Sequence, residues 1–230
     1  MHDVNEHHDR QDGPLTDSTD TAPPADTTGP GALTGVKSEV ARRLVLSAVD
    51  SFARRGYHAT TTRDISVGAG LSPAALYVHF PSKEEVLFEA SRIGHRFVLD
   101  TITAAAAGAD GPVDRIRAIV DRFVRIHAEH HTMCRVAQYE LHALTDEHYR
   151  EIAEIRRATD AVIRDEIQRG VDSGAFTVGD VPTAALAILS LGIDVSRWYQ
   201  PGRMAIDALA GNYVALVLSM LGAGQGTMPA

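Results

Sequence analysis

The chain has 230 residues, 44% of them hydrophobic and 23% charged, with a formal net charge of −8 at pH 7. That apolar content can fill the core of one large domain or two small ones, which excludes a wholly disordered chain. One cysteine, Cys134, excludes a disulfide framework, and with neither a membrane-length apolar run nor a signal peptide the expected setting is the cytoplasm.

Charge is spread unevenly. Residues 1–35 hold one Arg against seven acids, residues 36–85 hold seven Lys or Arg against five acids, and the remainder holds fourteen against eighteen. The first segment is rich in Asp, Thr, Pro and Gly and has no aromatic residue, so a disordered acidic tail is expected over 1–35. Only the second segment is basic, and local positive charge is what phosphate attracts.

From Val36 onward the spacing of apolar residues is helical. Val40, Leu44, Ala48 and Phe52 share one face of a first helix, with Gly56 as its stop. Thr61 is placed to cap a second helix opening on Thr62 and Arg63 and closing near Gly68–Gly70. Ser72 followed by Pro73 reads as the start of a short third helix, which Pro81 ends. Further helices are expected at 82–107, with Ser82 as cap, and at 112–130, 131–144, 146–173, 180–198 and 205–221, giving an all-α chain of nine helices. A second disordered tail is expected over 224–230.

Two helices joined by a glycine turn form a helix-turn-helix at about 61–80, within a unit spanning 36–85 and extending to about 97 through the next helix. Ile65, Ala69, Leu71 and Leu76 are positioned to pack the pair together. With Leu76 and Phe80 turned inward, Pro73, Ala74, Ala75 and Tyr77 are left near the open face. A face of small side chains suits a helix entering the major groove, about 12 Å wide.

The stretch "TTTRDISVGAGLSPAALYVHFPSKEEVLFEA", with "FARRGY" before it, resembles the DNA-binding signature of TetR-type transcriptional regulators over about 38–97. The resemblance implies DNA contacts from Thr61, Thr62, Arg63, Ser72, Ala74, Ala75, Tyr77, His79 and Lys83, the last gripping a phosphate. Pro73-Ala74-Ala75 stands where many relatives carry Lys-Gly or a polar pair. Base reading then falls to thymine methyl contacts, Arg63, Tyr77 and DNA shape. The resemblance also implies a ligand-binding and dimerisation domain over 86–223, dimerising through the last two helices on a palindromic double-stranded operator, with repression as the default outcome.

Small residues (Ala184, Ala187, Gly192, Gly211, Ala215) mixed with large apolar ones (Leu186, Leu189, Leu209, Val217, Leu218) suit those two helices to a partner subunit or to burial within one chain. Aromatic and polar groups on the central helices supply candidate pocket residues: Phe97, Phe123, His127, Met133, Tyr139, His142, Trp198 and Arg203. "DVSRWYQPG" with "NYVALVLSML" resembles the C-terminal segment of TetR-type repressors of lipid and steroid breakdown, which respond to acyl-CoA thioesters. That likeness implies a hydrophobic effector, with Arg197 or Arg203 meeting its phosphate or carboxylate.

An alternative is metal sensing. His127 and His131, and His130 and Cys134, each stand four apart, and His142 or His148 could complete a Zn²⁺ site. No G-x-S-x-G, GxGxxG, P-loop or H-E-x-x-H occurs, so neither an enzyme nor a cofactor is expected. A helical binding module without DNA affinity is the remaining alternative.

Overall fold

The computed structural model describes Val36 and residues 38–223, so the two expected disordered tails lie outside the described residues. Nine α-helices follow one another among the described residues: α1 (Glu39–Ala59), α2 (Thr62–Gly68), α3 (Ala75–His79), α4 (Lys83–Ala107), α5 (Gly111–Glu129), α6 (His131–Tyr139), α7 (Asp146–Asp172), α8 (Val181–Trp198) and α9 (Ile206–Met220). There is no strand among the described residues.

The helix starts follow from local chemistry. Ser38 Oγ accepts from the Ala41 amide at 3.1 Å, and Ser82 Oγ from the Glu85 amide at 3.1 Å. Thr61 forms a reciprocal capping box with Asp64, each side chain satisfying the other's backbone amide. Gly56 breaks the helical path as expected, at φ 79°, although one further turn carries α1 on to Ala59. Ser72 departs from expectation. Its carbonyl, rather than its side chain, accepts from the Ala75 amide at 3.0 Å, so Pro73 and Ala74 form a turn and α3 begins only at Ala75. The helix expected over 131–144 also ends early. The chain turns after Tyr139 into a 3₁₀ segment, Leu141–Ala143, which buries Leu141 beside Phe88, Ile152 and Ile155.

Two cores result. The first joins Leu44, Phe52, Ile65, Leu76 and Phe80 of α1–α3 and the residue after them to Val86, Leu87 and Ala90 of α4 and to Met133 and Val136 of α6. The second is built from Ile102 of α4, Ile116 and Phe123 of α5, Ile163 and Ile167 of α7, and Leu209 and Val217 of α9. Each fully buried Leu, Ile or Phe contributes about 1.5–3 kcal/mol of transfer free energy, so either core is large enough to define a folded unit. The helices α4 and α6 serve both.

Candidate nucleic-acid interface and internal cavity

In the helix-turn-helix, Gly70 takes the positive φ of 68° that the turn requires and that a side chain would oppose. Ile65, Ala69 and Leu76 are buried between the helices, and Leu71 packs against them half-buried. Leu76 and Phe80 point inward as expected, which leaves Ser72, Pro73, Ala74, Tyr77, Val78 and His79 exposed and Ala75 half-exposed. Tyr77 is 60% exposed, and its hydroxyl lies 3.2 Å from Thr62 Oγ1, so the two helices present these groups together. Arg63 is exposed beside them. Val78, at 79% the most open of the large apolar side chains described, was not anticipated. The signal was present: residue 78 lies opposite the inward Leu76 on a helix turning about 100° per residue.

Lys83 corrects an expectation. Its ammonium turns inward, donating to the carbonyls of Tyr57 at 2.7 Å and Thr60 at 2.6 Å, and sits 4.1 Å from the Tyr57 ring centre. Burial lowers the pKa of this lysine below its ordinary value. The carbonyls at the end of α1 need a donor, and Lys83 supplies it. In this geometry Lys83 fixes α4 to α1 instead of facing a groove.

A cavity of about 80 Å³ lies in the second unit. Its walls come from five helices: Gly94, His95 and Val98 of α4; Phe123 and His127 of α5; Cys134, Ala137 and Gln138 of α6; Arg156 and Thr159 of α7; Leu189 and Ile193 of α8. The close approach of α8 depends on Gly192, where a Cβ would stand 2.3 Å from the Phe123 ring. That contact places Gly192 inside the subunit, not on a partner-facing surface. His95 Nδ1 lies 2.8 Å from the Ser91 carbonyl and His127 Nδ1 lies 2.7 Å from the Phe123 carbonyl. A carbonyl only accepts, so both rings carry their proton on Nδ1 when neutral. Burial pushes each of them down to about 4, so both are neutral at pH 7. Burial also pushes the Cys134 thiol up to about 12, which leaves it protonated and a poor metal ligand.

Of the candidate pocket residues, Phe123 and His127 line the cavity. Phe97 packs half-buried behind it, its ring edge-on to His130 at 5.7 Å. Met133 belongs to the first core, because α6 turns Met133 and Val136 one way and Cys134, Ala137 and Gln138 the other. Tyr139, His142, Trp198 and Arg203 are exposed and line no part of it. Trp198 ends α8, and the next residue, Tyr199, takes the inward position instead. Arg197 is held by Asp194 at 2.6 Å and Arg203 by Gln200 at 3.1 Å. His95, Gln138, Arg156 and Thr159 were missed.

The expected metal set does not assemble. Among the described residues, the group of three ligating side chains within reach of one another is Glu84, Glu85 and His148, not His127, His131 and Cys134. His131 Nδ1 faces the Ala128 carbonyl at 3.1 Å. Glu84 meanwhile ties α4 to α7, accepting from the Thr145 amide at 3.0 Å and lying 2.8 Å from His148 Nδ1. His148 stacks on Phe88 with ring centres 3.8 Å apart.

The fold superposes on a bacterial regulatory protein of the tetR family from Rhodococcus RHA1 with a TM-score of 0.78 and 42% identity, covering 81% of this chain and 99% of that one. The chain belongs to the TetR family. Residues 44–90 match the tetR family of bacterial regulatory proteins, and residues 109–221 match the tetracyclin repressor-like C-terminal domain. The transcriptional repressor KstR2 of Rhodococcus jostii is 29% identical over 207 residues, covering 87% of this chain and 97% of that protein. The solved ketosteroid transcriptional regulator KstR2 of Mycobacterium tuberculosis is 27% identical with a TM-score of 0.73, covering 81% of this chain and 96% of that one.

On this TetR-family chain the last two helices keep an uncovered apolar face. Leu186, Leu216 and Met220 are 62%, 52% and 39% exposed, beside open Gly211 and Ala215. Leu209 and Val217, expected on that face, are buried in their own subunit. No helix among the described residues is long and apolar enough to cross a membrane.

Proposed function

We propose that this chain is a ligand-responsive repressor, binding a palindromic operator as a homodimer and released by a hydrophobic small molecule, acyl-CoA thioesters being the first class to screen. Residues 36–85 form the DNA-binding unit and residues 86–223 the sensing and dimerising unit. Thr61, Thr62, Arg63, Tyr77, Val78 and His79 meet the duplex, with Ser72, Ala74 and Ala75 close to the base edges. Val78 and the alanines offer apolar contact to thymine methyl groups. Two subunits joined through Leu186, Leu216 and Met220 would set their third helices one helical turn of DNA apart, about 34–36 Å.

The single observation that carries the reading is the sharing of α4 and α6. Val86, Leu87 and Ala90 of α4 hold the helix-turn-helix core, while Gly94, His95 and Val98 line the cavity. At 1.5 Å per residue, Lys83 and His95 are about 18 Å apart along one rigid element. A ligand that fits only when α4 shifts therefore favours a conformer in which the helix-turn-helix is displaced, with a coupling of about 1–3 kcal/mol.

Selection of duplexes from a random library by the purified protein tests this reading. A palindrome whose recovery is lost in Tyr77→Ala and Val78→Ala is expected. No enrichment even at low salt, where phosphate contacts are strongest, contradicts it.

A further inference from the structure

The cavity that the proposed repressor would use to sense its effector contains one formal charge and no acid. Its lining includes Arg156 but neither Asp nor Glu, and its two histidines are neutral at pH 7. Three other half-buried arginines are matched by acids, while Arg135 donates to the Ala53 carbonyl at 3.4 Å and lines no part of the cavity. Arg92, Arg115 and Arg125, with side chains 25–35% exposed, hold Glu89, Glu166 and Asp121. Arg156 holds the neutral amide of Gln138 instead, with Nη1 at 2.5 Å from Oε1, and no carboxylate lies within ion-pair distance of it among the described residues. Gln138 in turn hydrogen-bonds His95, which is anchored on the Ser91 carbonyl. The guanidinium is thus held in one place, half out of water, with part of its donor fork facing a cavity.

A partly desolvated cation without a counter-ion is costly, and an anion arriving from solvent relieves that cost. Guanidinium recognises a carboxylate through two parallel hydrogen bonds, which is stronger than a bond to an amide oxygen. The remaining walls are Val98, Phe123, Leu189 and Ile193, suited to hydrocarbon. The position of Arg156 in the fold is consistent with a ligand role. It lies on the buried stripe of α7, four residues after Ile152 and three before Thr159, where an apolar side chain would serve stability better.

We propose that this cavity binds an apolar carboxylic acid, the carboxylate pairing with Arg156 in place of Gln138 and the hydrocarbon lying against Val98, Phe123, Leu189 and Ile193. The assignment rests on reading the cavity as the effector site and names the free acid, rather than its acyl-CoA thioester, as the effector that fits it. In the closed geometry about 80 Å³ accommodates only a small acid. A longer chain must push the cavity walls apart, and a shift of α4 among them is the displacement on which the proposed release from DNA relies.

Calorimetric titration of the full chain at pH 7.5 with butanoate, octanoate and dodecanoate, each beside its neutral amide, tests the proposal. At least one acid should bind more than tenfold tighter than its amide. Arg156→Met should abolish that preference by weakening acid binding far more than amide binding, and Arg156→Lys should keep part of it. Should Arg156→Met fail to fold, the acid-to-amide ratio on the unaltered chain decides alone. Equal binding of acid and amide, binding of none of the three acids, or binding of octanoyl-CoA in preference to octanoate overturns it. Operator binding is read separately. Acid binding by a chain that selects no duplex would support this inference and sink the repressor reading. A selected duplex released only by neutral ligands would do the opposite.

Discussion

The two surfaces that matter in this chain are built in opposite ways. The open face of the helix-turn-helix, proposed above to meet DNA, comes from some twenty consecutive residues of α2, the turn and α3, and its side chains stand in solvent. The cavity draws its lining from five helices between Gly94 and Ile193 and keeps most of it from water. The first is specified by local rules: a capping box, a glycine turn and two inward apolar residues. The second exists only once the bundle has packed. A change in the first should therefore act on DNA with little cost in stability, and a change in the second should act on stability and ligand together.

The sharpest way to break that contrast is at Leu76, which is fully buried beneath the exposed face. Leu76→Ala should destabilise the first core by about 2–5 kcal/mol and abolish operator binding, while ligand binding at the cavity persists. Gel-shift and calorimetry on the same preparation check both halves.

Acid should act on the cavity next most strongly. Between about pH 6.5 and 4 an unfolded chain takes up protons on His95 and His127 that the folded chain refuses. Stability contributed by the neutral rings is therefore complete above about pH 6.5 and is lost as pH falls toward 4, by on the order of a few kcal/mol. Urea unfolding at pH 7, 6 and 5 measures the slope, and His127→Gln should make it shallower.

A smaller effect is expected where the units meet. Glu84 bonds the Thr145 amide and His148, so Glu84→Gln weakens the tie between α4 and α7. A loss of about 0.5–1.5 kcal/mol in stability is expected. The readout specific to coupling is ligand-induced DNA release, which should weaken while DNA affinity without ligand stays the same. The mildest change is Tyr77→Phe, which removes only the hydroxyl beside Thr62. Thermal stability should stay within about 0.5 kcal/mol, and operator affinity should fall.

How legible each surface is in the sequence follows the same division. Thr61 as cap, Gly56 as break, and Leu76 with Phe80 as inward residues all follow from short-range spacing. Even here Lys83 turned out differently, because its partners, the carbonyls of Tyr57 and Thr60, lie 26 and 23 residues upstream. Pocket residues chosen by type alone included Trp198 and Tyr139, which stand at helix ends where the chain turns outward. Ser91, His95, Val98 and Ile102 repeat at helical spacing on α4, as do Ile152, Arg156, Thr159 and Ile163 on α7. A histidine and an arginine on those stripes were signals that polar groups face inward. What they face, a gap bounded by α5, α6 and α8, is set by packing and has no local signature.

If α4 carries a change in the cavity to the helix-turn-helix, one measurement detects it without any ligand. Ala137 lines the cavity opposite Gly94 of α4, whose added Cβ would stand 3.6 Å from it. Ala137→Leu fills part of the void and presses on α4 without substituting any exposed residue of α2 and α3. Operator affinity of the folded variant should fall by about 5–150-fold, the range expected of an effector-induced coupling. A folded Ala137→Leu protein that binds the selected operator as tightly as the unaltered chain would contradict the account.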